Sequence, residues 1–256
     1  NCGVAEANMT TVAAGLALKG FKPITYTIAT FNVYKTLEQI KIDIAYPNLP
    51  VIIVGVGAGL SYSGLGSTHH ATEDIAVLRS IPNLNIVVPS DANELRSLLK
   101  EILKSKKPTY LRIGKRGEKK LFHNVPKTKL GKANVIVKGK NICIIGCGNI
   151  LINAYDAIKN LNKQKIYPEL ISMHTVKPID KVFLNKVFKK FKNIVILEEH
   201  SSIGGLASAI TEFYTEKKNN NNILKLNIGS EFVLKSGNQT NAHKMLKLST
   251  KNIEKK

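Results

Sequence analysis

Residues 48–91 are "NLPVIIVGVGAGLSYSGLGSTHHATEDIAVLRSIPNLNIVVPSD", and this stretch decides the fold class. The apolar runs "PVIIVGVG" and "LNIVVP" have the length of buried strands, and the pattern over 72–80 between them has the length of a short helix. Strands that are apolar at nearly every position are covered on both faces, as they are in parallel sheets with helical connections. The stretch therefore predicts a strand–helix–strand unit of an α/β protein.

The same alternation continues outward in both directions. Further strand-like runs are "PITYTI", "TYLRI", "NICIIG", "PELISM", "NIVIL" and "ILKLNI", and further helix-length patterns cover 5–19, 34–46, 92–103, 150–161, 181–190 and 203–216. We predict two doubly wound, mainly parallel-sheet domains at 1–120 and 139–256, joined by a basic, Pro- and Gly-containing linker at 121–138. Because the chain begins without Met inside an apparent motif, we expect an N-terminal part of the first domain to be missing.

The composition is strongly basic. The 256 residues include 38 Lys and Arg against 18 Asp and Glu, a formal net charge of +20. Such a charge can indicate nucleic-acid binding, but the lysines are scattered, Trp is absent, and no aromatic-and-basic stacking motif occurs. We therefore predict no nucleic-acid partner. The basic surface could instead attract phosphorylated small molecules or an acidic partner subunit.

The cysteine content and hydropathy indicate a cytoplasmic protein without a membrane segment. Cys2, Cys143 and Cys147 form neither a CxxC pair nor a disulfide framework, so we predict free thiols in a reducing compartment, with Cys143 and Cys147 buried. No run reaches the roughly 18 apolar residues that a membrane helix requires. We therefore predict no membrane association.

An acid at the head of an otherwise apolar helix is the first candidate functional residue. Glu6 lies in "GVAEANM", directly before the Ala- and Gly-rich run "TTVAAGLALKG", whose small residues let another backbone approach closely. A carboxylate in a first helical turn complements the helix dipole. In a tightly packed surface it can also hydrogen-bond a heterocycle and relay a proton. The residue pattern leaves both readings open.

Two aromatic residues follow the strand "PITYTI". Phe31 and Tyr34 are three positions apart at the predicted carboxyl edge of a sheet, where open α/β folds bind ligands. Aromatic residues at this spacing are also common in hydrophobic cores, so spacing alone does not separate the two roles.

Two adjacent histidines end the Gly-rich loop. Ser67 or Thr68 is placed to cap the following helix, and His69 and His70 lie where the helix dipole disfavours a cationic ring. Neighbouring side chains diverge, and no Cys, His or Asp nearby completes a ligand set, so we predict no metal site. The pair has either a structural role at the helix start or a role in proton transfer.

Taken together, these motifs resemble the transketolase family of thiamine-diphosphate enzymes. The segments "GVAEANM…AAGLAL", "TIATF", "GVGAGLSYSGLGSTHHATEDIAVLRSIPNLNIVVPSD" and "PTYLRIGKRGE" are similar to its pyrimidine-binding domain. The segments "GCGNILINAYDA", "MHTVKPID" and "IVILEEHSSIGGLASAI" are similar to its C-terminal domain. The resemblance covers nearly the whole chain.

The resemblance implies a role for each candidate residue. Glu6 corresponds to the glutamate that hydrogen-bonds N1′ of the cofactor's aminopyrimidine and shuttles its proton. Phe31 and Tyr34 correspond to aromatic residues that pack on the pyrimidine. His69 corresponds to a histidine near the reacting centre that transfers a proton or contacts a substrate hydroxyl.

The chain differs from the family at positions that contact the substrate. Lys115, with Arg116 beside it, stands at the place of a phosphate-binding Arg, and a Lys attracts phosphate as a point charge without a bidentate fork. Gly57 and Leu65 stand where transketolases carry a His and an Asp that contact the sugar. The resemblance therefore implies a sugar-phosphate substrate but does not identify the sugar.

A partner chain is implied as well. The GDG motif that holds the diphosphate and Mg²⁺ in this family is absent, and "GCGNIL" lacks the acid and is typical of a strand-to-helix turn. The "EEH" at 198–200 is expected to be structural or to lie in an interface. The resemblance therefore implies a transketolase N-terminal, diphosphate-binding subunit as partner, in an α2β2 assembly with thiamine diphosphate and Mg²⁺, the metal held mainly by the partner.

The predicted activity is transfer of a two-carbon ketol unit from a ketose to an aldose. Within the same cofactor class, the alternatives are an enzyme like 1-deoxy-D-xylulose-5-phosphate synthase and a 2-oxo acid dehydrogenase beta subunit. A nicotinamide-binding protein lacks support because "IIGCGNI" is not a complete GxGxxG followed by an acid. A non-catalytic regulator would have no need to retain Glu6 and His69.

Overall fold

The computed structural model describes residues 1–115, 117–216, 218–234 and 237–256. Within them the strands form two five-stranded sheets with helices packed around them, which confirms the predicted α/β class with two mainly parallel sheets. The strands are β1 (Ile24–Ile28), β2 (Ile52–Val56), β3 (Asn85–Val87), β4 (Thr109–Ile113), β5 (Asn134–Val137), β6 (Ile142–Gly146), β7 (Glu169–Ser172), β8 (Thr175–Lys177), β9 (Asn193–Leu197) and β10 (Asn222–Leu226).

The helices connect these strands and cover the sheets. They are α1 (Glu6–Leu18), α2 (Ala29–Tyr34), α3 (Leu37–Gln39), α4 (Asp74–Arg79), α5 (Ala92–Lys104), α6 (Leu151–Lys163), α7 (Lys181–Lys190), α8 (Leu206–Thr215), α9 (Gln239–Met245) and α10 (Thr250–Glu254), with a π-helix at Ile40–Ala45 and a 3₁₀ turn at Ser63–Leu65. Among the described residues, none of these helices has both the length and the apolar character needed to cross a bilayer.

The first sheet draws a strand from the second half of the chain. Its order is β1-β2-β4-β3-β8, in which the first four strands are parallel. Strand β8 pairs antiparallel with β3, with Lys177 opposite Ile86 and Thr175 opposite Val87. The two halves of the chain therefore share backbone hydrogen bonds within one sheet.

The second sheet has the order β10-β9-β6-β7-β5. Strand β5 pairs antiparallel with β7 and lies inside 121–138, the range that the sequence predicts to be a linker. Glycines and lysines flank these four residues, so the pattern of a short edge strand is weak there. Cys143 and Cys147 are buried and free, as predicted, and burial raises the pKa of each thiol.

Two predicted helix boundaries differ from the structure. The helix predicted at 34–46 begins earlier, as α2, directly after β1, and breaks at 35–36 before α3 and the π-helix. The cap predicted at Ser67 or Thr68 is wrong, because α4 begins only at Asp74. The hydroxyl of Ser67 instead donates to the Val233 carbonyl, 3.1 Å away, and that of Thr68 contacts a ring nitrogen of His69 at 3.0 Å.

Candidate functional site

The sequence-predicted residues converge on one edge of the first sheet. Strands β1, β2 and β4 run parallel in register, so their carboxyl ends lie at the same edge. Phe31 and Tyr34 are in α2, which begins at the end of β1; His69 is in the loop after β2; and Lys115 follows β4. This is the edge at which α/β sheets bind their ligands.

Phe31 and His69 are in direct contact although they are far apart in the sequence. Their ring centroids are 5.3 Å apart and the ring planes meet at 69°, an edge-to-face arrangement. Such pairs are favourable because the positive edge of one ring faces the negative face of the other. Both side chains are half-buried, so they present one aromatic surface at the sheet edge.

Lys35 connects Glu6 to this aromatic surface. It is the first residue of α1, and its side chain is 11% exposed. The ammonium group of Lys35 lies 3.4 Å from Glu6 Oε2 and 5.0 Å from the centroid of the Phe31 ring. Sequence reasoning missed Lys35; the available signal was its position one helical turn after Phe31, which places both side chains on one face.

Tyr34 is held by a second acid that sequence reasoning did not assign to the site. Its hydroxyl donates to Glu73 Oε2 at 2.9 Å, and Glu73 Oε1 accepts from the Thr72 hydroxyl at 2.8 Å. Partial burial, then the nearby charges of Asp74 and Glu73, raise the pKa of Tyr34. The phenol therefore stays protonated and keeps donating to Glu73, which anchors the ring.

A buried ion pair supports the loop that carries His69. Arg112 Nε lies 2.7 Å from Asp74 Oδ2, which also accepts from the Tyr110 hydroxyl at 2.6 Å. Arg112 Nη2 donates to the carbonyls of Ala71 at 2.7 Å and of Glu199 at 3.1 Å. Burial alone would lower the pKa of Arg112, but the Asp74 carboxylate outweighs it and raises that pKa. Asp74 and Arg112 thus fix the loop against both halves of the chain.

The two histidines have different surroundings. His70 is 4% exposed, and its carbonyl accepts from the Thr30 hydroxyl at 3.0 Å. Burial lowers the pKa of His70, so its ring is held neutral inside the protein. His69 is the member of the pair that lies beside Phe31 at the sheet edge.

The positions that depart from the family form an aromatic and apolar corner. Gly57 has a φ of +83°, and a Cβ there would lie 2.0 Å from Tyr62 Cε2, so the Tyr62 ring occupies the space of a side chain at 57. Leu65 is 57% exposed. The exposed Lys115 lies with its ammonium group 5.8 Å from the Tyr62 ring centroid. Arg116 lies outside the described residues.

The "EEH" segment joins the two halves of the chain. Glu198 accepts from the Leu206 and Ala207 amides at 2.6 and 3.0 Å, at the start of α8. Glu199 Oε1 accepts from the Leu60 amide at 2.8 Å, and His200 Nε2 contacts the Ala76 amide at 3.3 Å. All three side chains are buried and partnered, which is a structural role. The "GCGNIL" segment is the turn from β6 to α6.

The side chains at the sheet edge suit a flat nitrogen heterocycle. The Glu6 carboxylate can hydrogen-bond a ring nitrogen, and the rings of Phe31 and Tyr34 offer apolar faces for stacking. In the parts of the chain that the structure describes, no three His, Cys, Asp or Glu side chains are grouped closely enough to hold a metal ion. The side chains at the sheet edge therefore fit the pyrimidine part of a cofactor.

Comparison with protein families finds a match for each half of the chain. Residues 1–118 match the family model of the transketolase pyrimidine-binding domain, and residues 131–253 match that of the transketolase C-terminal domain.

Two relatives and one solved structure are similar to most or all of this chain. The chain is 38% identical over 216 residues to an apulose-4-phosphate transketolase subunit of Phocaeicola vulgatus, covering 84% of this chain and 69% of that one. It is 36% identical over 253 residues to the 1-deoxy-D-xylulose-5-phosphate synthase of Mannheimia succiniciproducens, covering 98% of this chain but 40% of the relative. A solved structure described as a split gene transketolase, inactive beta4 tetramer, superposes with a TM-score of 0.89 at 30% identity, over all of this chain and 81% of that one.

The matched family models, the relatives and the residues gathered at the sheet edge lead to one assignment. The chain belongs to the transketolase family.

Proposed function

We propose that this chain is the pyrimidine-binding and C-terminal subunit of a thiamine-diphosphate-dependent transketolase. It would transfer a two-carbon ketol unit from a ketose to an aldose, with a partner chain holding the diphosphate and Mg²⁺ in an α2β2 assembly. The observation that carries the proposal is the cluster of Glu6, Phe31 and His69 at one sheet edge. Lys35 bridges Glu6 and Phe31 at 3.4 and 5.0 Å, and the Phe31 and His69 rings are 5.3 Å apart.

Glu6 is the proposed proton relay of this site. Thiamine diphosphate, when bound, supplies a carbanion equivalent that attacks a carbonyl. Glu6 would hydrogen-bond the pyrimidine N1′ and exchange a proton there, and its 11% exposure keeps bulk water from competing. Phe31 and Tyr34 would hold the ring in place. His69 would exchange a proton with a substrate hydroxyl or contact it.

The partner would cover an apolar face formed by α1 and β1. Helix α1 exposes the apolar side chains of Val12, Leu16 and Leu18, of which Leu18 is 69% exposed. Strand β1 is an edge strand, and its Tyr26 is 61% exposed. A large exposed apolar patch marks a protein interface. The names of the relatives, one a transketolase subunit and the other a split gene transketolase, support a second chain.

A sugar phosphate is the proposed substrate class. The exposed Lys115 at the end of β4, with Arg116 beside it in sequence, would attract the phosphate group. Gly57 and Leu65 offer no polar side chain to sugar hydroxyls, so we expect a sugar contact pattern different from that of transketolases with His and Asp at these places. The relative from P. vulgatus is named for apulose 4-phosphate.

The runner-up is an activity like that of 1-deoxy-D-xylulose-5-phosphate synthase, which the match over 98% of this chain keeps open. The synthase-like activity transfers a two-carbon unit that lacks the hydroxyl of a ketol unit, so it requires a 2-oxo acid as donor. Ketol transfer requires a ketose as donor. Assaying both donor classes with the same assembled complex separates the two activities.

The test is reconstitution with a candidate partner that contains GDG, in the presence of thiamine diphosphate and Mg²⁺. We expect ketol transfer only when both chains are present, and turnover by this chain alone would contradict the split-subunit proposal. Glu6→Gln should lower kcat about 100-fold or more, in line with general acid–base contributions, while assembly measured by sedimentation stays intact. Glu38→Gln, at an exposed acid of α3, is the control. Unchanged turnover of Glu6→Gln would refute the proton relay.

A further inference from the structure

A second cavity shares Lys115 with the candidate site and lies away from its other residues. It has a volume of about 580 Å³ and is lined by Lys115, by residues 117–119 and by residues of the helices α6, α9 and α10. Glu6, Phe31, Tyr34 and His69 do not line it. We refer to it as the α9 cleft.

The walls of the α9 cleft are positively charged. Lys115, Lys119, Lys244 and Lys251 line it, and none of them forms an ion pair with a carboxylate among the described residues. Unpaired ammonium groups facing one cavity raise the local concentration of anions.

The two acids on the walls do not cancel these charges. Asp156 is already paired with Lys159 at 3.3 Å. Glu118 accepts from the Asn149 amide at 2.5 Å, and even with both acids ionised the four lysines outnumber the two carboxylates. The excess charge of the cleft is therefore positive.

The floor of the α9 cleft is polar and fixed. Gln239 Nε2 donates to both oxygens of Glu199 at 3.0 and 3.1 Å, and His243 Nε2 lies 3.4 Å from Glu199 Oε1. The other ring nitrogen of His243 contacts the Asn153 amide at 3.1 Å. Glu199 is 3% exposed, so the side chains above it are held on a buried anchor.

The chemistry of the lining selects the class of ligand. Ammonium groups suit a phosphate, and amide and hydroxyl side chains such as Asn153, Gln239 and Thr240 suit sugar hydroxyls. No Phe, Tyr or Trp ring lines the cleft in the described part of the chain, so a nucleobase would find no broad apolar platform there. We propose that the α9 cleft binds a phosphorylated sugar at a site separate from the thiamine-binding edge.

Isothermal titration calorimetry of the full chain, without partner or cofactor, tests this proposal. The probes are fructose 6-phosphate, fructose and inorganic phosphate at constant ionic strength. We expect fructose 6-phosphate to bind at least tenfold more tightly than either of the other two. The variant Lys244→Glu/Lys251→Glu should weaken its binding at least tenfold. Lys163→Glu/Lys255→Glu, the same charge change at exposed lysines outside the cleft, should leave the affinity within twofold.

Several results would overturn the proposal. Equal binding of inorganic phosphate would show general anion attraction, and unchanged affinity of the Lys244→Glu/Lys251→Glu variant would place the sugar phosphate elsewhere. If Phe31→Ala abolished binding of the sugar phosphate while Lys244→Glu/Lys251→Glu retained it, the sugar-phosphate site would lie at the thiamine-binding edge. Weaker assembly with the partner, without any change in sugar-phosphate binding, would mean that the cleft docks protein. Because the measurement needs neither turnover nor partner, failure of the ketol-transfer assay would not affect it.

Discussion

At the scale of single residues, Lys35 contacts both groups that are proposed to hold the pyrimidine. Its ammonium group pairs with Glu6 at 3.4 Å and lies over the Phe31 ring at 5.0 Å, and these are the carboxylate and ring proposed to hold the heterocycle. Lys35 is 53% exposed at its side chain, so it can move into solvent when the site fills.

Lys35→Met should therefore tighten cofactor binding. An exposed ion pair and an exposed cation–π contact contribute about 0.5 kcal/mol each, and removing this competition of about 1 kcal/mol corresponds to a roughly fivefold lower Kd. The measurement is thiamine-diphosphate titration of the assembled complex, with Lys19→Met at the exposed end of α1 as control. A weaker Kd for Lys35→Met would show that Lys35 contacts the cofactor itself.

The contacts within the site lie beyond what the sequence alone could predict. Glu6, Phe31, Tyr34 and His69 were found from motifs, because the residue types and their order are distinctive. The pairing of Tyr34 with Glu73 spans 39 positions and depends on how α2 and α4 pack, which no local pattern encodes. The roles of these residues stay predictions until the variants are measured.

At the scale of elements, the two carboxylate oxygens of Asp91 bind two different segments of the chain. Its Oδ1 caps α5 by accepting from the Glu94 amide at 2.8 Å, and its Oδ2 accepts from the Leu121 and Phe122 amides, each at 2.8 Å. Because Asp91 is 4% exposed, water cannot replace it. The start of α5 and the segment that leads to the second half of the chain are thus fixed by one carboxylate.

Asp91→Ala should lower the free energy of unfolding by about 2–4 kcal/mol, because loss of a cap costs about 1 kcal/mol and each buried amide left without an acceptor costs about 1 kcal/mol or more. Asn238→Ala removes only the cap of α9, on an exposed residue that accepts from the Asn241 amide at 2.9 Å, and should cost about 1 kcal/mol. Urea unfolding of both variants is the measurement; equal losses would show that the contacts with 121–122 contribute nothing.

The elements that sequence reasoning missed have a common cause. The predicted strand runs all form strands. Strands β5 and β8 are short and pair antiparallel at sheet edges, so the apolar pattern of each is brief. Their partners, β7 and β3, could not be inferred from local sequence.

At the scale of the whole molecule, the apolar face of α1 and β1 should make the isolated chain self-associate. We expect Leu18→Glu/Tyr26→Lys to raise the dissociation constant of self-association about tenfold or more, because charges replace two exposed apolar side chains without touching the core. Analytical ultracentrifugation measures this, with circular dichroism as the check on folding.

The matched control is Val182→Glu/Ile203→Lys, which introduces the same charges at exposed apolar residues of the second half. If the control dissociates the chain and Leu18→Glu/Tyr26→Lys does not, the association surface lies elsewhere. Loss of partner binding in Leu18→Glu/Tyr26→Lys would link this face to the proposed assembly.

The antiparallel strand β8 restricts how this protein can be recombined with its relatives. A hybrid enzyme spliced near residue 120 would carry Thr175–Lys177 from one parent into a sheet built by the other, with β3 as its new neighbour. Replacing the C-terminal half by that of a homologue therefore also replaces the edge strand of the first sheet. Hybrids spliced near residue 120 should fold only where residues 85–87 and 175–177 come from the same parent.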